Sequence, residues 1–394
     1  MTQKVVFLSG VRTAIGGFGG SLKDIPATTL AASVTREAVT RANLKPEQVG
    51  HVVFGNVLHT DRRDMYISRV AALEAGLPVN TPALTVNRLC GSGLQAIISA
   101  AQQIELGVCD AAVAGGAESM SRAQYWVPAA RFGQRMGDGQ IIDSMTGALT
   151  CPMENYHMGV TAENVAEKWG ISREQQDALA ALSHQRAQTA TEQGRFKDQI
   201  MPVELKTRKG TIEFAADEHI RQNCTPDDMG KLRPVFQKEG SVTAGNASGL
   251  NDAAAAVTMM SEAEAQKLGL TPMATLIGYS FAAVEPKYMG IGPVPAIRQL
   301  LEKHQLSVDD IDVWEVNEAF AAQALAVAKD LGLPEEKLNP NGSGISLGHP
   351  VGATGAVITV KALYELERIQ GQYAVISLCI GGGQGIAMLI ERQV

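Results

Sequence analysis

Apolar residues in this chain fall into short runs that alternate with stretches of helical period, and the alternation predicts an α/β fold. Lys4–Ser9 and His51–Val57 read as strands. Ala27–Ala42 reads as a helix, with Thr28 or Thr29 able to cap its start. Leu94–Leu106 reads as a second helix leading into a strand at Asp110–Gly115.

The pattern then repeats. A helix at Ala296–His304 precedes LSVDDIDVWEVNEAF, whose counterpart is LKPEQVGHVVFGNV. Leu306 matches Leu44, Ile311 matches Val49 and Val316 matches Phe54. CGSG at Cys90 opens a helix that runs into Asp110–Gly115, and GHPVGATG around His349 opens one that runs into Tyr373–Cys379. Three segments in the same order predict two copies of one α/β unit.

A different stretch, Ser121–Val242, separates the copies. It is richer in charge and in Met, Gln and His. It carries a long helical pattern, Ser172–Gly194, and a basic run, Lys206–Lys209. The expected organisation is a first half at 1–120 completed by about 243–270, a loop domain at 121–242 covering the site, and a second half at 271–394. Loops of this kind often carry ligand contacts.

Composition narrows the function. The chain has 394 residues, 45% hydrophobic and 19% charged, which is globular usage. Aromatics make up only 5%, so the core must rest on Ala, Val, Leu, Ile and Met. The net charge of −7 disfavours nucleic acid as a partner while leaving room for a local anion site. Five cysteines without a CxxC pair argue against a disulfide framework. The histidines show no metal-ligand spacing; Cys151 and His157 are close in sequence, but a zinc site needs more ligands. The start, MTQKVVFLSGVRT, reads as a strand and turn rather than a signal peptide, and no apolar run is long enough to span a membrane. The end, ERQV, carries no peroxisomal address, so a reducing cytoplasm is expected.

Four residues carry candidate chemistry. Cys90, in NRLCGSGLQAIISAAQ, falls at a strand-to-helix turn, where a helix N-terminus can stabilise a thiolate. Taken alone it is either a nucleophile or a buried structural thiol. Cys379, in AVISLCIGGGQG, ends an apolar strand before three glycines, where a ligand can approach the backbone. A core cysteine is the alternative. His349, in NPNGSGISLGHPVGATG, lies in a Gly/Pro turn suited to orienting a thiolate or polarising a carbonyl. That loop lacks the GK[ST] ending of a phosphate loop and does not match GxGxxG. Asn317, in WEVNEAFAAQALA, lies at another strand-to-helix turn and either caps the helix or holds a water or substrate oxygen.

NRLCGSG, GNASGLNDAAAA, NEAFA, GISLGHPVGATG and CIGGGQG resemble the signature segments of the thiolase family, in the same order and nearly end to end. HMGVTAENVAEKWG and KLRPVF resemble its bacterial biosynthetic branch, the acetyl-CoA acetyltransferases and the β-ketothiolases that feed polyhydroxyalkanoate synthesis. The resemblance implies the thiolase fold, a five-layered α-β-α-β-α arrangement of two similar halves with a loop domain. It implies reversible condensation of two acetyl-CoA to acetoacetyl-CoA and CoA, or thiolysis of short 3-ketoacyl-CoA, with no metal or organic cofactor. Cys90 would be acylated, and Cys379 would be the acid/base for the α-carbon. His349 would activate Cys90 and share an oxyanion hole with a water held by Asn317. The N–H groups of Cys90 and Gly381 would form the second hole. Arg221 would face CoA phosphate or adenine. Ala244 and Ser248 would line the pantetheine channel, and His157, Met158, Met289 and Phe320 would flank the acyl end. Asp228 departs from the pattern, since relatives often carry Ser there near the CoA phosphates. A homotetramer, a dimer of dimers, is also implied.

Other readings compete. A decarboxylating ketoacyl synthase shares this fold, but the cysteine of CIGGGQG speaks against it. A non-catalytic acyl-CoA carrier would not need both Cys90 and His349. A papain-like hydrolase would leave the second cysteine unexplained.

Overall fold

The structure is a computed structural model that describes residues 3–208 and 210–393; Lys209 of the basic run and the terminal Val394 lie outside it. The first half contains β1 (Val5–Thr13), α1 (Ala27–Arg41), β2 (His51–Gly55), α2 (Ile67–Glu74), β3 (Ala83–Val86), α3 (Ser92–Glu105) and β4 (Ala111–Ser119). Two long helices follow, α4 (Met158–Trp169) and α5 (Arg173–Glu192), and then β5 (Asn251–Ser261) returns to the sheet. The second half contains β6 (Ala274–Ala283), α6 (Pro293–His304), β7 (Val313–Val316), α7 (Ala321–Leu331), α8 (Thr354–Ile369), β8 (Tyr373–Ile380) and β9 (Gln384–Arg392).

The duplication is visible in the strand order. The first half runs β3-β2-β4-β5-β1 and the second β7-β8-β9-β6. In each, the first strand is antiparallel to the last and the last antiparallel to its other neighbour. β2 pairs parallel with β4, and β7 pairs parallel with β8. β3 lies parallel to β2, and its counterpart is a single parallel bridge from Leu338 to Trp314 beside β7. Two residue pairs, Val6–Thr275 and Phe7–Ala274, join the sheets. The aligned positions Val49, Phe54, Ile311 and Val316 are all buried.

Layering follows from which faces are apolar. α1 covers one face of the first sheet, and α6 one face of the second. α3 and α8 lie between the sheets, so strands such as β1, β4 and β5 are buried along their whole length. Strands covered on both faces lose their alternation and become continuous apolar runs. α3 and α8 touch at their N-terminal turns, where a Cβ on Gly93 would stand 2.7 Å from the Ala356 nitrogen and one on Gly355 2.2 Å from the Leu94 nitrogen. Only glycine permits that approach, and it brings the turn before α3 to the turn before α8.

The stretch between the halves is tied to the first sheet. Ile200–Met201 pairs with β1, and the buried Arg12 guanidinium grips Asp217 at 2.8 Å.

Several predicted boundaries move. β1 extends to Thr13, α3 begins at Ser92 and α6 at Pro293, because Ser, Gly and Pro are tolerated in a first helical turn. Neither Thr28 nor Thr29 caps α1: Pro26 holds the cap position without a side-chain bond, and Thr28 is buried inside the helix. α5 does end near Gly194, which takes φ +70°, and Ser172 caps its start.

Candidate active site

Cys90 immediately precedes Gly91, the N-cap of α3. The turn is built around Ser92, whose Oγ accepts from the Arg88 N–H at 2.8 Å and donates to the Leu89 carbonyl at 2.7 Å. These bonds hold Leu89 at φ +46°, a left-handed conformation that leucine takes only under restraint. The strained turn presents Cys90, half-buried, to a narrow cavity of about 50 Å³.

The opposite wall comes from the second half. Cys379 is the penultimate residue of β8 and is buried. Gly381, Gly382 and Gly383 form the turn into β9, with φ of +86° and +84° at the last two. A Cβ at Gly381 would meet the Met158 methyl at 2.8 Å, so the turn packs closely against that side chain. Cys90, Cys379, Gly381 and His349 all line the one cavity. Met158, Met289, Phe320 and Ser248 are also part of its wall.

His349 is held on both sides. Its backbone N–H donates to Asn251 Oδ1 at 3.0 Å, and Asn251 Nδ2 donates to the Gly16 carbonyl at 3.0 Å. Its ring Nδ1 lies 2.7 Å from Thr354 Oγ1, and Nε2 lies 3.4 Å from Asn317 Nδ2. Asn317 does not cap α7, whose N-cap is Phe320; its own N–H is bound to the Ser377 carbonyl, which leaves the amide facing His349. Asn317 reaches the site through His349 and does not line the cavity.

The protonation states differ from the expected thiolate. Burial pushes the Cys90 thiol up to about 11; the N–H groups of Gly381 and of Cys90 itself pull the other way, and the nearby Glu118 carboxyl raises it further. The helix end does not overcome this desolvation. Cys379 is raised further still by burial and by the neighbouring Cys90. Burial also lowers His349 to about 4. The resting site therefore holds two thiols and a neutral imidazole.

A wider channel of about 360 Å³ shares Ser248, Phe320, His349 and Val351 with the inner cavity. Ala244 and His157 line it. His157 stacks on Phe236 at 4.7 Å, and its Nδ1 accepts from the Gly159 N–H as the cap of α4. Arg221 is exposed beside the channel, with its guanidinium against the Ala244 carbonyl and its N–H bound to His184 Nδ1. Asp228 belongs to a capping box at Thr225–Gly230, accepting from Thr225 Oγ1 and paired with Lys231 at 2.9 Å. Those bonds lower its pKa to about 2, so its charge is met locally.

Sequence reasoning missed Thr354, Asn251, Phe236 and Glu118. Thr354 and Asn251 fall inside segments singled out above, but only the fold shows that they contact His349. Phe236 ends KLRPVF, but nothing there shows that it stacks on His157, and Glu118 carries no local signal.

Fold and site define a duplicated α/β protein whose halves meet at a two-thiol pocket fed by an open channel. Residues 5–263 match the family model described as "Thiolase, N-terminal domain" and residues 270–392 the one described as "Thiolase, C-terminal domain". The chain belongs to the thiolase family. It is 64% identical over 393 residues to "Beta-ketothiolase BktB" of Cupriavidus necator, covering 100% of both chains. Its fold matches the crystal structure of Bacillus anthracis acetyl-CoA acetyltransferase with a TM-score of 0.97 at 48% identity, covering 100% of this chain and 99% of that one. It matches human mitochondrial 3-ketoacyl-CoA thiolase in complex with CoA with a TM-score of 0.96 at 45% identity, covering 100% and 98%.

Proposed function

We propose that this chain is an acetyl-CoA C-acetyltransferase that condenses two acetyl-CoA to acetoacetyl-CoA and CoA, and cleaves short 3-ketoacyl-CoA in reverse. The observation that carries this reading is the meeting of Cys90, His349 and Cys379 in one cavity at the end of an open channel. The names of the relatives, β-ketothiolase and acetyl-CoA acetyltransferase, support the same chemistry.

Cys90 gives its proton to His349 as the sulfur attacks the acetyl carbonyl. CoA leaves as the thiol, taking that proton, and acetyl-Cys90 remains. Cys379 then passes its proton to His349 and removes one from the α-carbon of a second acetyl-CoA. The enolate attacks acetyl-Cys90, whose sulfur leaves and recovers its proton from His349. The proton of Cys90 leaves on CoA, that of Cys379 ends on Cys90, and that of the α-carbon ends on Cys379, so each protein group finishes as protonated as it began. The N–H groups of Gly381 and Cys90 interact with the Cys90 sulfur, which supports a role for them in holding one oxyanion. His349 and Asn317, with a water, serve the other. The channel takes pantetheine past Ala244 and Ser248, and Arg221 meets the nucleotide end. CoA carries the acyl group, so the reaction needs no metal or organic cofactor.

The exposed hairpin of Tyr125–Trp126 and Ile142–Asp143 supports a homotetramer. Trp126, Phe132 and Met136 are exposed apolar side chains of this stretch, suited to contact with a second copy. Five free cysteines support a reducing cytoplasm. Among the described residues no helix is long and apolar enough to cross a membrane.

The test is incubation with acetyl-CoA followed by intact mass spectrometry and peptide mapping. One acetyl group per chain on Cys90 is expected; modification of another cysteine alone, or none, contradicts the assignment. Thiolysis assays across chain length should peak at acetoacetyl-CoA or 3-ketovaleryl-CoA, and a kcat/KM that peaks on long chains would exclude the short-chain reading.

A further inference from the structure

His349 can serve Cys90 as a base only through a ring nitrogen that carries no proton. A neutral imidazole has one such nitrogen, and which one it is depends on the partner of the other. Nδ1 lies 2.7 Å from Thr354 Oγ1. Thr354 Oγ1 in turn donates to the Pro350 carbonyl at 2.9 Å. That carbonyl has no proton to give, so the hydroxyl hydrogen is directed at it. The remaining capacity of Oγ1 towards the ring is as an acceptor, and Nδ1 must therefore be the protonated nitrogen. Nε2 is left with its lone pair on the side of Asn317, whose Nδ2 donates towards it at 3.4 Å.

The arrangement is fixed by the fold. Thr354 is the first residue of α8 and is 2% exposed. Pro350 supplies the acceptor four residues earlier, in the usual position for a threonine that bonds back along a helix. Asn251 holds the His349 backbone separately, so the ring contact to Thr354 is not needed to place the loop.

We propose that Thr354 is a positioning residue that fixes His349 as the Nδ1–H tautomer and so keeps Nε2 available for the Cys90 proton. The inference rests on the reading of His349 as the base for Cys90. A hydroxyl whose own hydrogen is committed elsewhere does here what a carboxylate does beside the histidine of a catalytic triad. Being neutral, it orients the ring without adding charge to a buried site.

The experiment compares Thr354→Val, Thr354→Ser and His349→Ala with wild type in acetylation of Cys90 and in steady-state thiolysis. Valine keeps the shape and removes the acceptor. It leaves a buried donor unmet and should lower kcat and the acetylation rate by about 10- to 100-fold with KM little changed. Serine restores the acceptor and should return both rates to near wild type. Wild-type rates in T354V, or a loss in T354S as deep as in T354V, would overturn the inference. An H349A enzyme that acetylates normally would instead overturn the assignment of His349 as base. If T354V fails to fold, 15N spectra of histidine-labelled wild type decide the matter. A protonated Nδ1 and bare Nε2 on His349 are expected, and the reverse pattern refutes the proposal.

Discussion

Glu118, at the end of β4 in the first half, accepts the backbone N–H of Gly352, in the second half, at 2.8 Å. The same carboxylate accepts from the N–H groups of Val57 and Leu58 and from Asn56 Nδ2. Four donors converge on one fully buried side chain. Gly352 lies between His349 and the start of α8, so Glu118 fastens the loop of the candidate base to the half that carries Cys90. Glu118→Gln tests this joint. Whichever way the amide sits, its NH₂ faces two donors. The variant should lose about 2–5 kcal/mol of stability by that mismatch and melt at a lower temperature. Calorimetry of the purified variant measures the loss; an unchanged melting point would show that the joint carries no load.

Most of what builds the site was legible in the sequence because it is local. The Gly-flanked turn at Cys90 and the three glycines after Cys379 mark close backbone approaches, and both occur where expected. The repeat was legible because Val49 and Ile311, and Phe54 and Val316, fill equivalent core positions. Part of what escaped depends on residues far apart in the chain. Glu118 and Gly352 are linked across 234 positions. The expected thiolate at Cys90 rested on the helix end alone, whereas the cavity around the sulfur desolvates it more strongly. Thr28 and Thr29 suit a cap by type, but Pro26 sets the entry to α1 and turns Thr28 into the core.

Gly355→Ala tests the contact between the central helices. The added methyl would lie 2.2 Å from the Leu94 nitrogen, and backbone on both sides cannot yield. The variant should be destabilised by several kcal/mol, about the upper end of overpacking costs, or fail to accumulate as soluble protein. Normal expression with full activity would mean that α3 and α8 can separate without moving Cys90 from His349.

Resting protonation predicts how Cys90 meets an alkylating agent. With the thiol pushed up to about 11 and His349 lowered to about 4, both groups are neutral throughout the physiological range. Iodoacetamide reacts with the thiolate, so labelling of Cys90 in the free enzyme should rise about tenfold per pH unit through pH ~9. Peptide mapping isolates Cys90 from the other thiols. A rate that levels off near pH ~7 would reveal a preformed thiolate–imidazolium pair.

Cys379→Ser separates the two half-reactions. Serine is close to cysteine in size, and β8 holds position 379 by pairing with Gly385, so the fold should persist. A hydroxyl is far less acidic than a thiol and makes a poor base for an α-carbon. Acetyl transfer from acetyl-CoA to Cys90 does not use the Cys379 proton and should survive in large part. Condensation, and exchange of the acetyl α-hydrogens with solvent, should fall by about 10²–10⁴-fold. Deuterium uptake into acetyl-CoA, followed beside Cys90 acetylation on the same preparation, reads both steps at once. Equal loss in the two would make Cys379 a structural residue of the cavity wall, and undiminished condensation would remove it from the chemistry.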